Sequence, residues 1–141
     1  MATNVNVLVE AKQEYTNQLL TVLAGEIFKG IESMFKASEN YCKEHKDKNV
    51  LRKFQLVLSK TPSWNEDKIK TEFERIKNES GCDYLEGLLT ATFVSHTKIL
   101  ASIKNTNNKD NIEIDVPNGF HFIHKVYIEC ARCFWKYPYL F

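Results

Sequence analysis

The sequence contains few of the residues that build phosphate-binding loops, membrane spans or secreted disulfide frameworks. Its five Gly are scattered along 141 residues, so no glycine-rich phosphate loop can be recognised. No apolar run approaches the roughly 20 residues of a membrane-spanning helix, and the first residues lack the basic start and apolar core of a signal peptide. Four Cys at irregular spacing do not match a secreted framework. We therefore expect an intracellular protein with reduced thiols and no membrane span.

The chain also lacks an excess of charge of either sign. Its 19 Lys and Arg nearly balance its 18 Asp and Glu, which leaves a net charge of +1. Only three of the basic residues are Arg, the side chain that best recognises phosphates and base edges through paired hydrogen bonds. On charge alone, we do not expect nucleic acid or an acidic membrane surface among the partners.

The chain is rich in apolar and aromatic side chains. With 43% hydrophobic residues in 141 positions, the length suits one domain that covers residues 1–141. Apolar spacing predicts a mainly α fold, a bundle of about five helices with one short strand or hairpin near residues 111–116. The sequence ends on the aromatic run 134–141, which either docks onto the domain or leads into a further segment; we favour a natural chain that continues beyond residue 141.

Apolar residues recur every three or four positions from residue 5 to about residue 40, which predicts a long helix. Gly25 lies inside this pattern, so a break into two helices near Ala24 and Gly25 is expected. A second helix is predicted from about Asn49 to Ser59, and Pro62 would stop it.

Capping residues predict where the next helices begin and end. Ser63 followed by Glu66 matches a capping box, in which each side chain accepts the backbone amide of the other, so Ser63 is the predicted N-cap. Gly81 is a suitable left-handed terminator. A further helix begins near Asp83; its apolar positions wrap more than one face, which is typical of a central helix. The last helix is predicted from about Gly119 to Lys136.

The segment Ile112–Val116 alternates apolar and acidic residues before Pro117, which predicts a strand. A single strand needs a mate because its backbone groups are otherwise unpaired. The mate could be residues 99–104 in a hairpin, or another chain.

His121, His124, Cys130 and Cys133 are four metal-type ligands within one predicted helix. At about 100° per residue, nine positions place His121 and Cys130 on opposite sides, and likewise His124 and Cys133. We therefore predict no metal site and assign both Cys to the apolar face. Cys82 is predicted to be structural. We therefore expect no catalytic or cofactor-binding residue, and we predict that the protein is not an enzyme.

Three groups of residues give the chain a resemblance to a known family. They are Leu8–Lys12 with Glu14–Leu19, Gly81–Leu85 with Thr97–Leu100, and His121–Lys125 through Tyr127–Arg132 to Pro138. Through these residues the chain resembles a protein family of nucleocytoplasmic large DNA viruses, such as mimivirus-like, marseillevirus-like and algal viruses. The family has no established catalytic residues, so the resemblance transfers none.

The resemblance implies a viral protein that is made in the host cytoplasm and carried in the virion. The function that it implies is that of a minor capsid protein, a non-enzymatic component that bridges other capsid or virion proteins without a small-molecule substrate. The alternative is a genome-associated accessory protein of transcription or packaging. For the bridging function, the expected partner contacts are Trp135, Tyr137, Tyr139, Ile112 and Ile114.

Overall fold

A computed structural model describes residues 5–103 and 116–141 of the chain. Its described part contains five helices, and the predicted mainly α fold is confirmed. Two short 3₁₀ turns, Thr61–Ser63 and Pro138–Leu140, follow the second and the last helix. The helices are α1 (Val5–Glu44), α2 (Val50–Ser59), α3 (Glu66–Ser80), α4 (Leu85–Ile103) and α5 (Gly119–Lys136).

The long helix α1 is the centre of the bundle, because α2, α3 and α4 all pack against it. α5 closes the opposite side by packing against α2 and α3. The prediction that α4 is the central helix is therefore wrong: α4 packs mainly on α1, and its Leu100 and Ile103 are exposed. The core between the helices includes Leu23, Ile27, Ile31, Phe54, Leu58, Phe73, Ile76, Leu85, Leu88, Ile123 and Tyr127.

The predicted break at Gly25 is also wrong, because α1 is continuous over 40 residues. Gly25 is exposed, and a Cβ added there would meet no atom within 4 Å. A helical glycine costs only about 1 kcal/mol relative to alanine. Leu23 and Ile27 on either side of it are 5% exposed, so the burial of these neighbours outweighs the local preference for a break.

The start of α3 differs from the predicted capping box. Ser63 lies in the 3₁₀ turn, where its hydroxyl donates to the Lys60 carbonyl oxygen at 2.8 Å. The N-cap is Asn65, whose side-chain oxygen accepts the Lys68 backbone N–H at 2.8 Å. The other end of α3 confirms the prediction, since Gly81 adopts a left-handed conformation with φ of 70°.

We expect Asn65→Ala to lower the free energy of unfolding by about 1 kcal/mol, because the amide that Asn65 caps loses its acceptor. Ser63→Ala is the matched control, since Ser63 bonds a carbonyl oxygen outside α3. Urea unfolding followed by circular dichroism measures both midpoints. Equal midpoints for the two variants, or a larger shift for Ser63→Ala, would show that the cap is assigned to the wrong residue.

The predicted last helix is confirmed, with α5 running from Gly119 to Lys136. The predicted strand near residues 111–116 lies outside the described residues, apart from Val116. Among the helices that the structure describes, none combines the length and apolar character needed to cross a membrane.

Candidate functional site

The C-terminal aromatic residues lie on the surface of the domain. Trp135 and Tyr137 are each 50% exposed and Tyr139 is 68% exposed. The rings of Tyr137 and Tyr139 meet edge to face, with their centroids 6.2 Å apart. Three of the five expected partner-contact residues therefore lie together, and we call them the aromatic surface. The other two, Ile112 and Ile114, lie outside the described residues.

Two contacts hold the aromatic surface in place. The Phe141 ring packs against Phe28, Phe35, Phe54 and Phe134, with centroid distances between 5.2 and 5.5 Å. The Gln55 side-chain amide donates to the Trp135 backbone oxygen at 2.7 Å, which ties α2 to the end of α5. The C-terminal run thus docks onto α1 and α2, and its exposed rings stand on a packed base. A surface fixed in this way loses little conformational entropy when it binds a partner.

Beside the aromatic surface, a cleft of about 200 Å³ opens between α2 and α5. We call it the α2–α5 cleft. Most of its lining is apolar, and the Arg132 side chain is its charged member. The lining residues are Leu58, Ser59, Pro62, Ile128, Ala131, Arg132 and Trp135. The volume is suited to one or two apolar side chains.

Two segments of the chain are basic although the charge of the whole chain is balanced. Residues 50–64 and 119–141, which contain α2 and α5, carry six Lys or Arg and a single acidic residue, Glu129. α2 and α5 pack against each other, so the two basic segments become neighbours in the fold. The remaining segments carry the other 13 basic and 17 acidic residues. The six cations are Arg52, Lys53, Lys60, Lys125, Arg132 and Lys136.

Five of these cations, all except Lys53, are exposed; we call them the basic rim. Arg132 lines the cleft, Lys136 follows Trp135, and Lys60 follows Ser59. The fourth, Lys125, precedes the cleft residue Ile128 by three positions, and the fifth, Arg52, precedes the cleft residue Ser59 by seven. Each of these two cations therefore lies on the same face of its helix as that cleft residue. Glu129 binds Arg132 at 3.0 Å.

A network of charged side chains lies where α1, α3 and α5 meet, with Arg75 at its centre. Nη1 of Arg75 donates to Glu26 at 3.2 Å and to Glu79 at 2.9 Å. Nη2 donates to the Glu26 backbone oxygen at 2.8 Å and to the Tyr127 hydroxyl at 3.1 Å. Nε donates to Glu72 at 3.2 Å, and the Tyr127 hydroxyl donates to the same carboxylate oxygen at 2.7 Å. Arg75 therefore makes five hydrogen bonds to partners within the fold.

The pKa values around Arg75 reflect these contacts. Burial raises the pKa of Tyr127, and the neighbouring Glu72 carboxylate raises it further. Burial alone would raise the pKa of Glu26, but Lys29 and Arg75 outweigh it and lower the pKa below its usual value. A cleft of about 440 Å³ with a mixed polar and apolar lining adjoins the network, and two of its three cations, Arg75 and Lys29, are already bound to Glu26 and Glu79. Because these contacts lie within the fold, we assign the network to stability.

The four metal-type residues of α5 lie in different surroundings along an unbroken helix. The His124 ring stacks on Trp64 with centroids 5.9 Å apart, and its Nε2 lies 2.8 Å from the Thr61 backbone oxygen. Cys130 is half-buried, and burial raises the pKa of its thiol. The assignment of Cys133 to the apolar face is wrong, because this residue is exposed. In the described ranges, no three His, Cys, Asp or Glu side chains are grouped to hold a metal ion.

The other two cysteines of the chain are buried. Cys82 is 3% exposed in the turn between α3 and α4, where it joins the core cluster. Burial raises the pKa of the Cys42 thiol, and the nearby Asp47 carboxylate raises it further. A raised pKa keeps a thiol protonated and therefore a weak nucleophile.

Sequence reasoning located the aromatic surface but missed the α2–α5 cleft and the basic rim. The signal for the rim is present in the chain, as the absence of acidic residues between Asp47 and Glu66 and the single Glu after residue 115. These two segments indicate a shared basic surface only once α2 and α5 are known to be neighbours.

Comparison with known proteins places the chain in a family. A family model described as "Family of unknown function (DUF5764)" matches residues 5–141, so the chain belongs to this family. Neither a curated protein nor a solved structure matches the chain.

Proposed function

We propose that this member of the DUF5764 family is a non-enzymatic structural protein of a large DNA virus, a minor capsid or virion component that bridges other virion proteins. The observation that carries the proposal is the aromatic surface. Trp135, Tyr137 and Tyr139 are half or more exposed on a base that is itself packed. Large aromatic side chains in fixed positions are the residues that contribute most to the affinity of protein interfaces.

Burial of this surface by a partner would be favourable. Covering apolar area is worth about 25 cal/mol per Å², and an aromatic side chain can bury roughly 150–250 Å². Leu140 adds an apolar residue to the same end of the domain and is 67% exposed. The Gln55–Trp135 bond and the Phe141 packing hold the rings before a partner arrives, so binding need not order the segment.

A second candidate function is that of a genome-associated protein, and the basic rim favours it. Cations clustered on one side of a domain attract polyanions even when the whole chain is nearly neutral. The single acidic residue among them, Glu129, is bound to Arg132 and offsets part of that attraction. The two candidates differ in what contacts Lys136 and its neighbours in the assembled particle.

Cross-linking with mass spectrometry on purified virions tests the proposal. Lys136 directly follows Trp135, so a cross-link formed by its amine identifies a protein that contacts the aromatic surface. We expect cross-links from Lys136 to other virion proteins, and none from the exposed lysines Lys43, Lys46 and Lys48 at the end of α1. Absence of the protein from mature particles would contradict the proposal. Cross-links chiefly to DNA would favour the genome-associated function in its place.

A matched pair of variants tests the surface itself. Trp135→Ala combined with Tyr139→Ala should lower incorporation into particles, because two interface anchors are lost. Tyr84→Ala is the control, since Tyr84 is 59% exposed in the turn before α4, outside the aromatic surface. Equal incorporation of both variants at equal expression would contradict the proposed role of the aromatic surface.

A further inference from the structure

We infer that the α2–α5 cleft and its basic rim bind an acidic protein segment that carries at least one large apolar side chain. The inference rests on the proposed function, because it specifies the partner that the aromatic surface contacts. Two features of the surface carry it. The cleft is mainly apolar, with a volume of about 200 Å³, and the two segments that form it carry five exposed cations and a single carboxylate, Glu129.

The apolar lining determines the central contact. The cleft walls include Leu58, Ile128 and Trp135. A charged group could enter between them only by losing its hydration. A Leu, Phe or Trp side chain would exchange water contacts for these walls at a favourable free energy. Leu51 and Leu56 on α2 are also exposed.

The basic rim determines the flanking contacts. Arg132 lines the cleft, while Lys60 and Lys136 directly follow the cleft residues Ser59 and Trp135 in the chain. Carboxylates on either side of an apolar anchor could meet these cations, and a basic segment would be repelled by them. Charge complementarity therefore selects an acidic segment from all segments that could supply the anchor.

An acidic protein segment fits the surface better than a nucleic acid does. Nucleic-acid surfaces combine cations with aromatic rings that stack on bases, and the phosphate chain has no apolar group to fill a cavity. Exposed rings are present here too, in the aromatic surface, so the feature that separates the two partners is the cleft, whose lining includes the aliphatic side chains of Leu58, Pro62 and Ile128. Four of the six cations are Lys, and Arg132 is already engaged by Glu129.

The test measures binding of purified protein to three fluorescent probes. The first is a 16-residue peptide with Leu and Trp anchors between Glu residues, the second replaces every Glu with Gln, and the third is a 16-nucleotide oligothymidylate. We expect the Glu peptide to bind about tenfold more tightly than the Gln peptide, since several exposed ion pairs together contribute about 1.4 kcal/mol. Raising the salt concentration should reduce this difference.

Variants of the protein locate the binding surface. Lys60→Glu combined with Lys136→Glu should abolish the preference for Glu, and Glu129→Gln should tighten binding of the Glu peptide two- to threefold. Lys12→Glu combined with Lys36→Glu on α1 is the control, with the same change of charge at positions remote in sequence from the cleft, and it should leave the preference intact.

Each other outcome overturns the inference. Equal affinity for the Glu and Gln peptides, or no binding of either, removes the acidic partner. Binding of the oligothymidylate alone, lost in Lys60→Glu with Lys136→Glu, replaces it with a nucleic acid. The virion cross-links are independent of these probes, so the bridging function can stand where the acidic partner fails.

Discussion

Arg75→Met is expected to lower the free energy of unfolding by about 2–3 kcal/mol, less than the loss of one partner from a fully buried ion pair, because the Arg75 side chain is 22% exposed. The guanidinium is the common partner of Glu26, Glu72 and Glu79, and the Glu26 and Glu72 side chains are only 10% and 18% exposed. Methionine has a similar length but no charge, so these carboxylates would remain close together with Lys29 as the nearby cation. Urea unfolding at pH 7 measures the loss.

Arg132→Met is the matched control for this prediction. Arg132 also pairs with a Glu three residues away, but its side chain is 60% exposed, and an exposed pair contributes about 0–1 kcal/mol.

The pH dependence of stability gives a second check on the Arg75 network. Because the pKa of Glu26 lies below its ordinary value of 4.5, its contribution to wild-type stability is present above that pH and is lost as the pH falls. In Arg75→Met the carboxylates gain by protonation, so the gap between the two proteins should narrow towards pH 4. A constant gap would contradict the ionic origin of the loss.

The helices could be predicted largely from sequence because their signals are local. Apolar spacing gave α2 and α5 nearly to the residue, and Gly81 marked the end of α3. The errors arise where long-range packing decides. Gly25 favours a break in an isolated helix, but the burial of residues on both sides of it keeps α1 unbroken. The apolar residues of α4 suggested a central position, yet the chain uses α1 there.

The candidate site could be predicted only in part, for the same reason. Trp135, Tyr137 and Tyr139 are near neighbours in the chain, so sequence alone places them together, but their exposure is known only from the fold. The α2–α5 cleft needs the packing of segments about 70 residues apart, from Ser59 in α2 to Arg132 in α5. Likewise, Arg75 reaches Glu26 over 49 positions and Tyr127 over 52, and sequence spacing carries no sign of either contact.

Gly30→Ala is expected to destabilise the domain by about 3 kcal/mol, at the upper end of the usual range for an overpacked core. Gly30 lies on α1 where Tyr127 of α5 crosses it. A Cβ on Gly30 would overlap the Tyr127 hydroxyl oxygen and come within 2.8 Å of the ring carbon that bears it. Tyr127 is fully buried and its hydroxyl bonds Glu72 and Arg75, so the ring cannot move aside without breaking the network. Thermal and urea unfolding measure the loss.

Gly25→Ala on the same helix is the matched control, and its expected effect has the opposite sign. A Cβ at Gly25 meets nothing within 4 Å, so the substitution should add about 0.5–1 kcal/mol through helix propensity alone. Gly30→Ala gains the same helix propensity, so its net loss of stability requires that the clash with Tyr127 outweigh this gain. Tyr127→Phe removes the overlapped oxygen, so Gly30→Ala should cost less in a Tyr127→Phe background than in the wild type. If Gly30→Ala stabilises the domain as Gly25→Ala does, α1 and α5 do not approach as closely as the structure describes.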